Sequence, residues 1–315
     1  MSEHIAIGPP GENLLGFLAT MGTFRTLTEI RPSSDVRMRW QLLPQGWRPA
    51  WHVAPDVSQE ALVEALHEYL SARDGAPEFT ALGNSLPVEG PAFAAFARQA
   101  ADAAGATDRR LADFALAYGC ELVTNDNGRI QDTALRTVGA GQQRFFDMIG
   151  KLVRGTKPEH IRQALFEVWR YRDPSPAMRW DPADDRRYAY RADDPKDSKE
   201  FPIRTERGAN RLAIEALPFF PTAIVGRMLF TASFVRNERG WATRWPIWEP
   251  AIPLDVARSL MTHPELGRER PDPRRLHALG VVEVFESLRS TEDRYRNFSA
   301  ARALLGAGPR EVVAV

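Results

Sequence analysis

One short segment constrains this chain more than any other feature: Leu14, Leu15, Phe17, Leu18, Met21 and Phe24 crowd together with no charged residue between them. A surface helix carries an apolar stripe backed by a polar face, whereas a helix that is apolar on most sides has to be enclosed. The spacing therefore predicts a buried helix. It opens at Asn13, a residue type whose side chain accepts from the free N–H groups of a first turn. Gly16 and Gly22 lie inside it, each costing a helix roughly 1 kcal/mol against alanine; close packing against another backbone is one reason to keep them. Enclosure needs partners on every side, and the rest of the chain has to supply them.

The partners read as a mixture of strands and helices. Val36, Met38, Trp40 and Leu42 alternate with Arg37, Arg39 and Gln41, which predicts a strand with one apolar and one basic face. Gln45-Gly46 marks a turn, and residues 47–53 return as the partner strand. Ser58 caps an amphipathic helix through Leu62, Leu66 and Leu70. Residues 74–108, rich in Ala, Gly and Pro, read as a loosely packed connection with a short helical stretch at 93–96. Helical patterns follow at 111–118 and 142–153. Another helix starts at Pro158, with Ile161, Ala164, Leu165, Val168 and Trp169 on one stripe.

From Asp173 the chain turns charged and proline-punctuated, with Tyr188-Ala189-Tyr190 as a short strand. Asn210-Arg211 is expected to open an apolar helix reaching Leu217. Phe219, Phe220 and residues 224–235 suggest buried strands, with a hairpin turn at 237–240 and Trp241, Trp245 and Trp248 on the return. A helix at 254–261, a strand at 281–288 and a short terminal helix complete the pattern. The expectation is an α+β fold with mixed, mainly antiparallel sheets and packed helices. Its parts are an N-terminal region, 1–172, and a C-terminal region, 173–315, which one continuous domain would also accommodate.

Charge narrows the function. The 41 basic and 41 acidic residues cancel, so a generally cationic nucleic-acid coat is excluded and any such contact has to be local. The only lysines are Lys151, Lys157, Lys196 and Lys199, and every other basic residue is arginine. The guanidinium fork suits phosphate and planar base edges, although GC-rich codon usage explains the same bias more economically. Cys120 is the only cysteine, which leaves no intrachain disulfide and no cysteine-based zinc site. No basic segment leads into an apolar stretch near the start, and the run from Leu14 meets Arg25 too soon to span a bilayer. A soluble cytoplasmic chain without a membrane partner is expected.

Tests for chemistry find little. Gly139-Ala140-Gly141 lacks the third glycine of a dinucleotide loop, because Arg144 stands there, and no Gly-Lys-Ser/Thr triplet occurs. These glycines read as a lead-in to a helix carrying Gln142, Gln143 and Arg144, or as a helix start whose N–H groups receive a phosphate. The six histidines are scattered. Asp181, Asp184, Asp185, Asp193, Asp194 and Asp197 are dense enough for Mg²⁺, and Asp197-Ser198-Lys199 resembles half of a nuclease element. The interleaved Arg186, Arg187 and Arg191 favour ion pairing on a solvated loop instead. No catalytic residue, metal or cofactor is assigned.

The segment 179–211 is the stronger nucleic-acid candidate, although its nine basic residues face eight acidic ones. Period two sets Arg187 and Arg191 on one strand face with Tyr188 opposite, and Asn210 and Arg211 close the segment. Tyrosines filling a half-buried sheet face is the plainer reading. The basic face of Arg37 and Arg39 is a second candidate with the same ambiguity.

A set of short motifs in order along the chain adds a resemblance. They are the opening from Gly8 to Arg25, with Glu12-Asn13-Leu14-Leu15-Gly16-Phe17 at its centre, and Gly141-Gln142-Gln143-Arg144-Phe145-Phe146. Next come Arg179-Trp180-Asp181-Pro182, Arg186-Arg187-Tyr188-Ala189 and Gly208-Ala209-Asn210-Arg211-Leu212-Ala213. Trp245-Pro246-Ile247-Trp248 and Asn297-Phe298-Ser299 complete it. Together they resemble the type I-G (formerly I-U) CRISPR-associated family described as an extension of the helicase-nuclease, related to the small large-subunit-like proteins of that subtype. The resemblance implies a non-catalytic subunit of a crRNA-guided antiviral effector. Its implied partners are the other effector subunits, the helicase-nuclease, and crRNA and/or target DNA. The alternatives are a protein-interaction adaptor and a metal-dependent nuclease built on the aspartates of 181–197.

Overall fold

In the computed structural model the apolar segment is helix α1 (Leu14–Ile30), and it is buried from Leu14 to Leu27. Asn13 caps it, its side-chain oxygen accepting from the N–H of Gly16 at 3.2 Å. Thr20, Thr23 and Thr26 turn their hydroxyls back onto the carbonyls four residues earlier, so the buried hydroxyls of this enclosed helix are satisfied within it. The structure describes residues 2–32, 35–105, 108–137, 144–174, 176–184, 204–292 and 295–306.

Sheets and helices surround α1. Strands β1 (Ser2–Ile5), β2 (Val36–Leu43) and β3 (Gly46–Val53) form an antiparallel sheet in the order β1-β3-β2. Helices α2 (Gln59–Ser71), α3 (Pro77–Thr80), α4 (Gly90–Ala103) and α5 (Arg110–Tyr118) follow, then the pair β4 (Gly119–Thr124) and β5 (Ile130–Asp132). Helices α6 (Phe145–Gly155) and α7 (Pro158–Phe166) lead to strand β6 (Asp173–Pro174), which pairs with β7 (Arg204–Thr205). Helix α8 (Arg207–Ile214) precedes a hairpin of β8 (Thr222–Val225) and β9 (Met228–Thr231). The last sheet joins β10 (Phe234–Asn237), β11 (Gly240–Trp248), β12 (Val281–Glu292) and β13 (Tyr295–Phe298), with β14 (Arg302–Ala303) also on β12. Between β11 and β12 lie α9 (Leu254–Met261) and α10 (Pro273–Ala278). The fold is α+β with antiparallel sheets and packed helices.

Aromatic rings join the two ends of the chain at the centre. Phe17 stacks on Trp40 and meets Trp245, with ring centroids 5.9 and 5.8 Å apart, and Trp248 meets Trp40 edge-on. Two of the indole N–H groups find partners across the seam: Trp245 donates to the Gly11 carbonyl and Trp248 to that of Met38. The backbones of Met38 and Ile252 exchange two hydrogen bonds of 3.0 Å. One hydrophobic cluster runs from Ala6 to Phe298 and includes residues of both expected regions. Fully burying a side chain such as Phe17 contributes about 1.5–3 kcal/mol.

Several expectations need correction. Residues 74–108 hold the fourteen-residue helix α4, and Phe79, Leu82, Leu86, Phe93 and Phe96 from this stretch are buried in the core. Helix α7 stops at Phe166, so Val168, expected on its stripe, is exposed. Hairpin β8–β9 is not a buried one, since Val225 and Met228 are exposed. Strands β13 and β14 follow β12, and residues 307–315, at the end where a short terminal helix was expected, lie outside the described residues. The expected strand at 188–190 lies outside the described residues.

Candidate nucleic-acid interface

Asn210 and Arg211, candidate contacts by sequence, are interior groups. They sit in the second turn of α8 instead of opening it, because the helix starts at Arg207. Asn210 accepts from the N–H of Met178 at 2.7 Å and donates to Thr205 and to the Glu206 carbonyl, so its amide is fully used. Arg211 is 1% exposed and spends its guanidinium on Glu215 and the Leu70 carbonyl, each at 2.9 Å. Neither presents an atom to a ligand.

Glu215 is the centre of a larger buried network. Its carboxylate, with no exposed surface, accepts from Arg110 at 2.8 and 3.1 Å, from Arg211 at 2.9 Å and from Arg25 at 3.0 Å. Arg25 also pairs with Glu29, Arg110 with Glu78, and the Tyr69 hydroxyl donates to Glu29. Burial pushes the Tyr69 phenol up to about 12, with the nearby arginine only partly opposing. Three guanidiniums thus meet three carboxylates where α1, α3, α5 and the end of α8 converge. A balanced, enclosed network of this kind positions helices and offers no site.

The basic strand face is also neutralised. Arg37 bonds to Asp35 through Nε at 3.0 Å, and Arg39 bonds to Glu3, Nη2 at 2.8 Å. The antiparallel register places His52 opposite both Arg37 and Glu3, so this face alternates in sign. Arg144 is exposed at the N-cap of α6. At the observed helix start the N–H groups are taken within the chain: that of Phe145 donates to Ser85, and those of Phe146 and Asp147 donate to the Asn84 carbonyl; Gly139, Ala140 and Gly141 lie outside the described residues. Gln142, Gln143, Arg187, Tyr188 and Arg191 lie outside the described residues, as do Asp185, Asp193, Asp194 and Asp197. Asp181 is committed to structure, accepting from Asn13, Tyr171 and the N–H of Ala183. Among the described residues no group of three or more His, Cys, Asp or Glu is placed to hold a metal ion.

A different cluster, which the motifs did not single out, is electrostatically unbalanced. Strand β12 continues past Leu288 and folds back through β13, pairing Arg289 with Phe298 and Thr291 with Arg296. Alternate residues of paired strands share a face, so Arg289 and Arg296 lie diagonally on one face of this hairpin. Arg136, on the turn after β5, completes the group: its backbone carbonyl accepts from Arg289 Nη2 at 3.4 Å. That turn is held by Thr137 on the Met178 carbonyl and by Trp180 on the Leu135 carbonyl.

Only one carboxylate among the described residues answers these three arginines. Asp132 takes the Nε and Nη2 of Arg136. Among the described residues neither Arg289 nor Arg296 has a carboxylate within ion-pair distance, and Arg289 Nε is buried without a partner. Burial first, then the charge of Arg296, pulls Arg289 down to about 10; Arg296 is lowered for the same reasons, with Arg136 as the repelling charge. Even so lowered, Arg289 and Arg296 stay charged near neutral pH. Like charges gathered in a half-buried setting are destabilising unless an anion joins them. The chemistry such a group supports is oxyanion binding through charge-assisted, forked hydrogen bonds. Residue-by-residue reading missed it because Arg136 is far from the other two in sequence and only the hairpin register brings Arg289 and Arg296 onto one face.

Compared with known proteins, the chain matches no family model, no curated protein and no solved structure. Among the described residues no helix is long and apolar enough to cross a membrane.

Proposed function

We propose that this chain is a non-catalytic nucleic-acid-binding subunit of a crRNA-guided type I-G CRISPR effector, working in the cytoplasm and gripping a phosphate group through Arg136, Arg289 and Arg296. The observation that carries the nucleic-acid part is the charge imbalance at that site, three guanidiniums against Asp132 alone among the described residues. The system itself rests on the motif resemblance from Gly8 to Ser299. In such effectors base pairing reads sequence while protein holds backbone and shape. A local grip on a chain of zero net charge suits that division of labour. The partners of this reading are the other effector subunits, the helicase-nuclease, and crRNA and/or target DNA.

Binding to DNA and to crRNA-loaded complex over a range of salt concentrations tests it. Removing one phosphate-binding charge lowers the slope of log affinity against log salt by about 1. Arg289→Gln with Arg296→Gln is therefore expected to weaken binding and flatten the slope. Salt-insensitive binding, or none, would sink the proposal. A second reading, the protein-interaction adaptor, draws on exposed apolar side chains (Leu116, Leu122, Val225 and Met228) around α5, β4 and β8–β9. Retention of the helicase-nuclease after nuclease treatment, with no nucleic acid bound, would favour it.

A further inference from the structure

The form of the arginine cluster bears on which phosphate it takes. Among the described residues, three guanidiniums and one carboxylate leave a formal charge of two positive units at one place. An internal phosphodiester carries one negative charge and two free oxygens. A terminal phosphomonoester carries about −1.5 to −2 near pH 7, with three acceptor oxygens. The monoester matches the site in charge and in the number of donors presented.

Burial points the same way. Arg136 is 8% exposed, and Arg289 Nε lies beneath the surface with no partner. A continuous backbone has to enter and leave a contact, so it suits ridges and open grooves. A strand end offers a small head group that can be inserted. The free donors support this count: Arg136 commits Nε and Nη2 to Asp132 but not Nη1, and Arg296 makes no hydrogen bond to any described residue.

We propose that this site binds the terminal phosphate of a nucleic-acid strand in preference to its internal linkages. The inference rests on the nucleic-acid reading above and sharpens it. The unliganded state holds like charges together, so Arg296→Gln is expected to raise the melting temperature of the free protein while weakening binding. A merely structural arginine would not show that pair of effects.

Fluorescence anisotropy with one short oligonucleotide, prepared with a phosphate or a hydroxyl at its 5′ end and separately at its 3′ end, tests the idea. The phosphorylated form at one of the two ends is expected to bind roughly tenfold tighter. That advantage should grow as pH rises through about 6, where the monoester sheds its second proton, and should vanish in Arg296→Gln and in Arg289→Gln. Equal affinity for phosphate and hydroxyl ends, with both variants still weakening binding, overturns the terminal-phosphate inference and leaves the nucleic-acid reading standing. No binding to any oligonucleotide overturns both. Inorganic phosphate and a nucleoside monophosphate serve as competitors; a monophosphate that matches the oligonucleotide in affinity overturns the assignment to a strand.

Discussion

Glu215 shows what one buried carboxylate demands of its surroundings. Burial drives its carboxyl towards the neutral form, but Arg110, Arg211 and Arg25 together outweigh that and hold it well below the ordinary carboxylate range. A group depressed in the folded state stabilises fully above its unfolded value, and that contribution is lost as pH falls towards the folded one. Glu215→Gln removes this linked part and leaves three guanidiniums facing a neutral amide. The expected loss at neutral pH is about 3–5 kcal/mol. Urea titrations of both proteins at about pH 7 and about pH 3.5 check it, because the gap between them should narrow in acid. A gap that stays constant would mean that Glu215 carries no linked charge. None of this was legible in the sequence: Arg25 and Glu215 stand 190 positions apart, and nothing local marks them as partners.

Helices α1 and α8 touch backbone to backbone. A Cβ added at Gly22 would lie 1.8 Å from the Leu212 carbonyl oxygen, and one at Gly208 would lie 2.0 Å from that of His160. Gly22→Ala should gain about 1 kcal/mol of helix propensity yet lose more by forcing the helices apart, for a net destabilisation of about 1–3 kcal/mol. Gly105, where an added Cβ meets nothing within 4 Å, is the control; Gly105→Ala is expected to stay within about 0.5 kcal/mol. Thermal melts of the two variants decide the point, and equal effects would remove the packing explanation. Elements with local signals were legible: the Asn13 and Ser58 caps, the alternation in β2 and the close-approach glycines of α1. Helix α4 was not, because its alanines carry little periodic contrast and Gly90-Pro91 looked like a loop when it is a helix start. The motifs behind the family resemblance mostly build the core: Gly22, Gly208, Asn210, Trp245 and Trp248 all pack or bond internally. They speak to fold more directly than to chemistry. The unbalanced arginines stayed hidden because the strand ending expected at 288 concealed the return through β13.

At the scale of the whole chain, the seam between the sequence halves is built from the largest buried side chains. Helix α1 packs on α8, Trp40 on Trp248, Phe17 on Trp245, and Arg25 on Glu215. Each of these contacts joins a residue before 172 to one after 173. If the halves were independent, this seam would open while the flanking helices and sheets persisted. If instead the seam is the core, losing it exposes α1, which is too apolar to stand in water with its neighbours gone. Tryptophan fluorescence reports the seam, since Trp40, Trp245 and Trp248 are fully buried there, whereas far-ultraviolet circular dichroism reports the helices and strands. The expected outcome of a urea titration is one transition with coincident midpoints for the two probes. A fluorescence transition that precedes the loss of helix would show that the sequence halves separate first, and that the continuous hydrophobic cluster from Ala6 to Phe298 joins two units able to hold their own structure.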